Sequence, residues 1–519
     1  MKSIPHLIYL FAFLCHTAIV YGQTDNFETS IDPDDGLGSN NGINVNVMSD
    51  GLIVTSASLC FGNSVPCSDI VKTDWGGNVL WHVQFEDYPD AFSAHRSGTI
   101  VNDEDVFLMA GKTVNDNRQF TISVLDNAGN NVWYAEYGSE FDEMGSGGLI
   151  SVENNKMLSL CSSGTNWVFS KAMITKINNN GEVQWQKVYS IDTFTFTIAK
   201  HLALSANGDY LFTVETPLPP PDIGYKKTLA HVFATDTAGN QKWQFALNET
   251  WDGQCAAFIA PLPNGNLAVS WCNDTLIGAW GQNYGIPHYV AGMDTAGNML
   301  WQHYFTAPYI KQIYRLRKTS NGDIIGCGGL NYAGQYDGGW MFRISAAGEL
   351  LWQREYVHHL PGYGNNAGIA FMDLTETPDG GIAATGPVIQ RNENGQLEID
   401  IWLVKTDADG CMEPGCNNGL IWLSADEAAE GVWIGRELNA LHVYPNPASS
   451  QITVRLPNNA VAYTPAQIDV YNIHGQRVHS HPLLPGQRVA QIDLPTLPEG
   501  IYIVHLKGHK NLSAKLVIE

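Results

Sequence analysis

The sequence predicts an all-β protein, a seven-bladed β-propeller followed by a small antiparallel β domain. The main observation is a repeat of about 50 to 60 residues in which a strand-like run ends in a turn of the form Asp-x-x-Gly-Asn. In six of the seven copies a tryptophan follows the turn glycine by four residues. Repeats of this length with several short strands are typical of propeller blades, which cannot bury their faces alone. The copies begin at Thr73, Leu125, Ile177, Thr235, Met293, Ile344 and Thr406.

Each repeat also contains a second turn, of the Asn-Gly type, followed by an apolar run rich in β-branched residues. Strands therefore flank both turns, which predicts four strands per repeat, a to d. Glycine supplies the positive φ that these hairpins need. The second turns begin at Ser49, Asn102, Asn154, Ala206, Pro263, Ser320 and Pro378.

The tryptophan opens strand d, and a further aromatic residue often recurs four residues later. An even spacing places both rings on one face of the strand, where they can pack on the neighbouring blade. The alternative is that the tryptophans stack on a cofactor. Six equivalent positions cannot all serve one ligand, so we expect a structural role. The later aromatic residues are Phe85, Tyr137, Tyr189, Phe305 and Tyr356.

The seventh repeat lacks its own strand d, because the chain after its last turn breaks into Cys-Met-Glu-Pro-Gly-Cys. The segment from Asn26 has the features of a strand d that leads into a strand a. We therefore expect the N-terminal strand to complete the last blade, with Phe27–Ile31 beside Trp402–Thr406. Such closure removes exposed sheet edges, and it places the propeller at residues 23–416.

Residues 1–22 predict a secretory signal peptide, because Lys2 precedes an apolar run that ends near Gly22. A lipoprotein signal at Cys15 is the alternative, although Leu14 before it is not small. Eight cysteines follow the predicted cleavage point, and an even number in an exported chain is typical of disulfides. For Cys161 and Cys327, thiols and a bridge both remain open. The close pairs expected to bond are Cys60 with Cys67, Cys255 with Cys272, and Cys411 with Cys416.

The net charge of −24 is unevenly distributed. Residues 438–519 hold six Lys or Arg and four Asp or Glu, so the rest of the chain has 22 bases against 48 acids. This negative field repels nucleic acid and anionic membranes, and it suits an exported protein or one that binds cations.

The long connections between strands lie on one face of the predicted disc, opposite the short hairpins. Binding residues concentrate on loops that a rigid scaffold presents. Aromatic and polar residues in these connections resemble a carbohydrate- or peptide-binding surface in composition. The alternative is that the aromatic residues only pack the loops. The candidate binding residues are Trp251, Asp252, Trp280, Tyr284, Asp337, His358, His359 and Tyr363.

The sequence indicates no cofactor and no metal site. His358 and His359 are adjacent, so their side chains diverge, and no acid stands at ligand spacing. Acidic turns such as the one at Asp407 lack the downstream glutamate of an EF-hand. There is no nucleophile elbow, P-loop or dinucleotide fingerprint. Carboxylate catalysis stays open, because glycosidases and lyases show no regular carboxylate spacing.

After a linker at residues 417–437, residues 438–519 alternate in the manner of short strands. Its characteristic residues include Tyr444, Pro445, Asn446, Pro447, Gly500, Tyr502 and Lys515. With these residues the segment resembles the C-terminal sorting domain of the type IX secretion system of Bacteroidetes. The resemblance implies an immunoglobulin-like β-sandwich, the type IX secretion machinery as a partner, and removal of the tail with release or surface attachment.

The sequence therefore favours a secreted or cell-surface propeller that acts as a binding module, with a glycan or protein as ligand. The alternative is a polysaccharide-acting hydrolase or lyase with carboxylates on the long-loop face. A sorting tail gives the destination of a protein and leaves its activity open.

Overall fold

The computed structural model divides into two compact units, Met1–Ala429 and Glu430–Glu519. It describes residues 26–518 with gaps at 34–39, 61–64, 87–98, 102–104, 115–116, 138–141, 166–167, 191–196, 218–226, 248–249, 252–256, 273–287, 306–309, 333–334, 359, 361–366, 393–394, 414–415, 417–419, 424–440, 445–446, 456–465, 484–488 and 508–512. The predicted signal peptide lies outside these residues.

The first unit is built from antiparallel sheets whose strands follow one another along the chain. Its strands are β1 (Phe27–Ile31), β2 (Asn41–Met48), β3 (Gly51–Cys60), β4 (Val65–Thr73), β5 (Val79–Glu86), β6 (Thr99–Val101), β7 (Asp105–Val114), β8 (Asn117–Asp126), β9 (Asn131–Tyr137), β10 (Asp142–Val152), β11 (Lys156–Thr165), β12 (Val168–Ile177), β13 (Val183–Ser190), β14 (Ile198–Leu204), β15 (Tyr210–Pro217), β16 (Lys227–Thr235), β17 (Gln241–Ala246), β18 (Thr250–Trp251), β19 (Ile259–Pro261), β20 (Leu267–Cys272), β21 (His288–Met293), β22 (Met299–Tyr304), β23 (Ile310–Lys318), β24 (Ile324–Tyr332), β25 (Gln335–Ile344), β26 (Leu350–His358), β27 (Asp373–Glu376), β28 (Ile382–Arg391), β29 (Leu397–Thr406) and β30 (Leu420–Leu423). Two 3₁₀ turns, Glu153–Asn155 and Pro263–Gly265, follow β10 and β19.

Within the described part of this unit the strands form seven sheets, namely β2–β5, β6–β9, β10–β13, β14–β17, β19–β22, β23–β26 and β27–β29 with β1. The first strands of successive sheets contact one another in a closed cycle, from β2 through β6, β10, β14, β19, β23 and β27 back to β2. A buried apolar cluster lies between each pair of neighbouring sheets. The predicted all-β propeller is confirmed, and its count of seven blades stays a prediction that this cycle supports.

The N-terminal strand completes the last sheet, as the sequence predicts. β1 pairs with β29 in antiparallel register, with Phe27 opposite Lys405 and Ile31 opposite Ile401. We call this junction of β1 with the last sheet the seam. The Asn26 side chain extends it, since its Nδ2 donates to the carbonyl oxygens of Cys411 and Met412 at 3.2 and 2.9 Å. The predicted pairing of Phe27–Ile31 with the seventh repeat is confirmed.

The segment after the last repeat departs from the expected linker. Cys411 and Cys416 form the predicted short disulfide. Beyond it, β30 adds a parallel strand to β26 of the preceding sheet, with Glu355 opposite Leu420. Residues 420–423 therefore belong to the first unit, since an extended segment leaving the disulfide loop can pair with the open edge of β26.

Cys161 and Cys327 are buried thiols. Burial raises the pKa of the Cys327 thiol well above its ordinary value, which keeps it protonated. The side chains of Cys60, Cys67, Cys255 and Cys272 lie outside the described residues, so the disulfides expected there stay predictions.

The Asp-x-x-Gly-Asn turns are closed by the aspartate side chain. Asp74 Oδ1 accepts the backbone N–H groups of Gly76 and Asn78 at 2.8 and 2.9 Å. Asn78 Nδ2 donates to Asp74 Oδ2 at 2.9 Å, and this bond holds the pKa of Asp74 below its usual value. Gly77 has a φ of 81°, which only glycine adopts without strain. These acids are therefore turn-forming residues.

Aromatic rings of one sheet pack against the turn glycines of the next sheet. A Cβ added to Gly348 would lie 2.4 Å from the ring of Trp301, and one added to Gly239 would lie 3.0 Å from Trp185. At the seam, Phe27 of β1 approaches Gly77 in the same way, at 2.5 Å. The tryptophans thus have the structural role expected from the sequence. The same contact joins Trp81 to Gly129, Trp133 to Gly181 and Trp352 to Gly410.

The second aromatic residue of strand d anchors the same turn by a hydrogen bond. The hydroxyls of Tyr137, Tyr189 and Tyr356 donate to the carbonyl oxygens of Gly181, Gly239 and Gly410 at 2.8, 2.8 and 2.6 Å. Burial raises the pKa of Tyr137 and Tyr189 to about 12, so both remain protonated donors.

Basic residues near the ends of third strands form a second repeated link, which no sequence motif indicates. Lys72 donates to Asp50 of its own sheet at 2.7 Å and also to Asn127 of the next sheet. Arg343 bonds Asp323 at 2.9 Å in its own sheet. It also donates to the carbonyl oxygen of Ala408 in the next sheet at 3.3 Å. Each cation therefore ties two sheets together.

The second unit is a β-sandwich of two sheets, in the orders β31-β32-β35 and β34-β33-β36-β37. One apolar cluster fills the space between the sheets, which confirms the predicted sandwich. Its strands are β31 (His442–Tyr444), β32 (Gln451–Arg455), β33 (Ala466–Asn472), β34 (Arg477–Leu483), β35 (Val489–Asp493), β36 (Gly500–Leu506) and β37 (Ser513–Ile518).

The glycine contact predicts a difference between two alanine substitutions. Gly348 and Gly380 both have positive φ, 90° and 83°, so each change should cost about 1 kcal/mol in backbone strain. At Gly348 the new methyl also meets Trp301, whereas nothing lies within 4 Å at Gly380. We expect Gly348→Ala to lower the free energy of unfolding by about 1 to 3 kcal/mol more than Gly380→Ala. Equal losses in urea denaturation would show that the ring contact is not tight.

Candidate functional site

A cavity of about 330 Å³ lies where the first strands of the sheets converge. We call it the central cavity; β2, β10, β14, β19 and β23 all contribute to its wall. Its position follows from the closed cycle of first strands, which leaves an axial space that side chains fill only in part. The polar side chains that line it include Asn44, Asn46, His201, Arg315, Arg317 and Lys318.

The two arginines beside the cavity share one buried carboxylate. Asp373, at the start of β27, is fully buried. Arg315 Nε lies 3.1 Å from Asp373 Oδ1. Arg317 donates to both carboxylate oxygens, at 3.2 and 2.6 Å. The backbone N–H groups of Val45 and Leu374 also donate to Asp373, at 3.2 and 2.9 Å. This network joins β23 and β27 to β2, the first strand of the first sheet.

His201 of β14 supplies a neutral imidazole to the wall. The backbone N–H of Ile259 donates to His201 Nδ1 at 3.2 Å, which leaves the ring proton on Nε2. Burial, together with the charges of Arg315 and Arg317, holds the pKa of His201 well below its ordinary value. At neutral pH this side chain therefore offers an N–H donor without adding charge.

The cavity wall combines guanidinium, amide and imidazole groups, which suits recognition of acceptor-rich ligands by hydrogen bonds. It is less suited to acid–base chemistry by paired carboxylates. No Asp or Glu lines the cavity among the described residues, and the nearby Asp373 is held by two arginines. Sequence reasoning missed this site, because Arg315 and Asp373 lie in different repeats and no motif connects them.

Three carboxylates at the seam could hold a metal ion. Asp32 follows β1, and Glu398 and Asp400 lie on β29; each offers an oxygen within 4.8 Å of the others. Hard cations such as Ca²⁺ prefer such oxygen ligands, although acidic groups often cluster without an ion. The sequence indicates no metal site, and no motif connects Asp32 to the other two acids. In the observed register Ile31 pairs with Ile401, so the next positions along the two chains are Asp32 and Asp400.

Most of the predicted binding residues lie outside the described residues, namely Asp252, Trp280, Tyr284, His359 and Tyr363. Trp251 lies in β18, which pairs with the edge of β16, and Asp337 lies in β25. The side chains of these two residues are not described. A ligand site on the long-loop face therefore stays a prediction.

His358 is occupied by contacts across the seam. It is buried at the end of β26, and its Nδ1 lies 2.5 Å from Glu28 Oε1 on β1. Gln390 Nε2 donates to its Nε2 at 2.8 Å. Glu28 Oε1 also accepts the indole N–H of Trp402 at 2.9 Å. Both ring nitrogens of His358 therefore have protein partners, which is a structural role, and a contact of this residue with a ligand stays a prediction.

The described sorting-motif residues lie on or beside three strands of the second unit, β31, β36 and β37. Tyr444 ends β31, and Gly500 opens β36 with a φ of 152°. The Tyr502 hydroxyl donates to the Pro498 carbonyl oxygen at 2.8 Å. Lys515 is exposed on β37. Pro447 is exposed as well, whereas Pro445 and Asn446 lie outside the described residues.

The two units together define an exported β-propeller protein with a C-terminal secretion signal. Residues 442–519 match the family described as the secretion system C-terminal sorting domain, which confirms the resemblance seen in the sequence. The protein is therefore secreted or located on the outer cell surface. Within the described residues, no helix has the length and apolar character needed to span a bilayer. No curated protein matches the chain in sequence.

Solved structures with a similar fold share little sequence with this chain. A protein of unknown function from Bacteroides caccae is 11% identical, covers 59% of this chain and 91% of its own, and has a TM-score of 0.34. An α-L-arabinanase from Penicillium chrysogenum, solved with arabinobiose, is 13% identical over 59% of this chain and 90% of its own, with a TM-score of 0.38. The β-propeller domain of the Trilobed protease from Pyrococcus furiosus is 9% identical over 70% and 93%, with a TM-score of 0.37. These likenesses concern the fold alone.

The seam contacts predict that Glu28 stabilises the closed ring. In Glu28→Ala, the buried N–H groups of Trp402 and His358 lose their acceptor, so the free energy of unfolding should fall by about 2 kcal/mol. Ser30→Ala is the control, because Ser30 lies on the same strand and is exposed. Urea denaturation should show a much smaller loss for the control. If the two variants were equally stable, the seam contacts would contribute nothing measurable.

Proposed function

We propose that the protein is an exported binding module, a seven-bladed propeller that captures a ligand at its axis and is delivered by its sorting tail. The observation that supports this most is the central cavity, which five first strands line and to which β2, β14 and β23 contribute amide, imidazole and basic side chains. Its volume is at the lower end of the range for small-molecule sites. The ring of sheets provides a rigid frame, which lowers the ordering cost of binding.

The alternative, a polysaccharide-acting hydrolase or lyase, needs two carboxyl groups placed on either side of a scissile bond. Around the central cavity the described side chains do not offer such a pair, since Asp373 is buried between two guanidinium groups. An enzyme of this class would therefore have to use the long-loop face. Binding is the function that the described geometry favours.

The binding proposal can be tested with a glycan and peptide array probed with the purified full-length protein, followed by turnover assays on each hit. We expect ligands that bind and are recovered unchanged. Product formation from a bound glycan would support the hydrolase or lyase instead. The absence of any hit, with the protein folded by circular dichroism, would count against a binding module.

The sorting tail makes a separate prediction about export. Deleting residues 438–519 should leave the protein in the periplasm, because the domain that the secretion machinery recognises is gone. Cell fractionation and immunoblotting would measure this, with Lys510→Ala as a control that keeps the tail. Normal export of the truncated protein would contradict the role of the tail as the secretion signal.

A further inference from the structure

The larger sheet of the second unit is apolar on both of its faces along β36. Tyr502, Val504 and Leu506 belong to the apolar cluster between the two sheets of the sandwich. The residues that alternate with them, Ile501 and Ile503, lie on the outer face and are 46% and 39% exposed. A strand with one face in water usually places polar side chains on that face. The apolar side chains on the outer face therefore need an explanation other than the packing of the core.

The strand register places further apolar residues beside these two isoleucines. Ile501 pairs with Val517 of β37, and Ile503 pairs with Tyr471 of β33, so the four side chains share the outer face. Ile473, in the turn after β33, is 72% exposed. Grouped exposed apolar residues mark contacts with other proteins, whereas single ones are common on any surface. We call this group the outer patch; its members are Tyr471, Ile473, Ile501, Ile503 and Val517.

The opposite end of the same outer face is polar. Asp469 of β33 is buried there and accepts hydrogen bonds from Gln467 Nε2 and Ser480 Oγ at 2.6 and 2.8 Å. His505 Nδ1 lies 2.9 Å from the hydroxyl of Ser513. The exposed apolar residues are therefore confined to one end of the sheet.

Three stretches that carry sorting-motif residues meet at the apolar end of this sheet. β36 begins at Gly500, and β37 carries Lys515 opposite Ile503. The stretch that includes Pro447 reaches the edge of β37, since the backbone N–H of the next residue, Ala448, donates to a β37 carbonyl oxygen at 2.9 Å. These stretches are far apart along the chain, yet all three border the outer patch.

The charge at the margin of the outer patch is positive. Arg477 of β34 pairs with Tyr471 and so lies on the same face. Its side chain is 52% exposed, whereas that of its neighbour Asp469 is 2% exposed. Residues 438–519 as a whole have six bases against four acids, in contrast to the rest of the chain. A partner that covers the patch must therefore be apolar at its centre and acidic at its margin.

We propose that the outer patch is the surface through which the sorting domain docks on the secretion machinery, against an apolar protein surface with an acidic margin. The family match indicates that this unit is recognised for export. Recognition from outside needs exposed residues, and the three exposed large apolar side chains in the described part of this unit, Ile473, Ile501 and Ile503, all belong to the patch. The inference rests on the role of the tail in export and is independent of the central cavity. A second copy of this chain is the competing occupant.

The test is export of the full-length protein from cells with a type IX secretion system, measured by fractionation and immunoblotting. The double variant Ile501→Thr/Ile503→Thr keeps branched side chains on the strand and removes apolar contact area. We expect its periplasmic fraction to rise about fivefold. Leu300→Thr is the matched control, because Leu300 is 51% exposed on β22 of the propeller, and it should be exported normally. Ile501→Val/Ile503→Val keeps the patch apolar and should also be exported normally.

A second variant keeps the test valid if the double threonine variant does not fold, which circular dichroism of the purified protein would show. Ile473→Thr changes a residue outside the strands, and we expect it to raise the periplasmic fraction about twofold. Normal export of Ile473→Thr and of the folded double variant would overturn the inference. If deletion of residues 438–519 still blocked export, the tail would remain the secretion signal and its docking surface would lie elsewhere.

Sedimentation of the purified full-length protein distinguishes the competing occupant. We expect a monomer both for the unaltered chain and for the double threonine variant. A dimer that this variant dissociates would show that a second copy covers the outer patch, and it would overturn the inference. Retention of Leu300→Thr to the same extent as the double variant would overturn it as well, since the loss of export would then not be specific to the patch.

Discussion

The contact between an aromatic ring and a turn glycine is the interaction on which the propeller depends. Every propeller sheet has two faces that it cannot bury alone, and an aromatic ring of one sheet reaches the turn glycine of the next. Only glycine permits both the positive φ of the turn and the close approach of the ring. Because the contact recurs from sheet to sheet, it fixes the spacing of the blades, and thereby the width of the axial space.

Repetition explains how much of this fold the sequence predicts. Turns, strands and aromatic contacts recur with a constant spacing, so each copy supports the interpretation of the others. The seam could be predicted as well, because the first and last segments are complementary fragments of one repeat. The family match of residues 442–519 likewise rests on local motifs.

The long-range contacts and the central cavity could not be predicted from the sequence, because the residues that form them do not recur from repeat to repeat. Glu28 and His358 meet across 330 positions, and Arg317 meets Asp373 across 56, without any motif to connect them. The sequence shows His358 only beside a long connection, and nothing in it points to Glu28 as a partner. The central cavity was missed because its polar residues lie on inner strands, where alternation predicts only packing. The residues proposed to bind a ligand are therefore those that differ from one repeat to the next.

Closure by the N-terminal strand has a consequence for how the chain folds. The Glu28 side chain that reaches Trp402 must find a partner 374 positions away, so the ring stays open until almost the whole propeller has been synthesised. Any intermediate in which the other sheets have formed while β1 is still unpaired exposes the edge of β29, which β1 covers in the closed ring. Such long-range closure is slow, and open edges invite association between chains. An exported protein of this design needs a period of protection before its two ends meet.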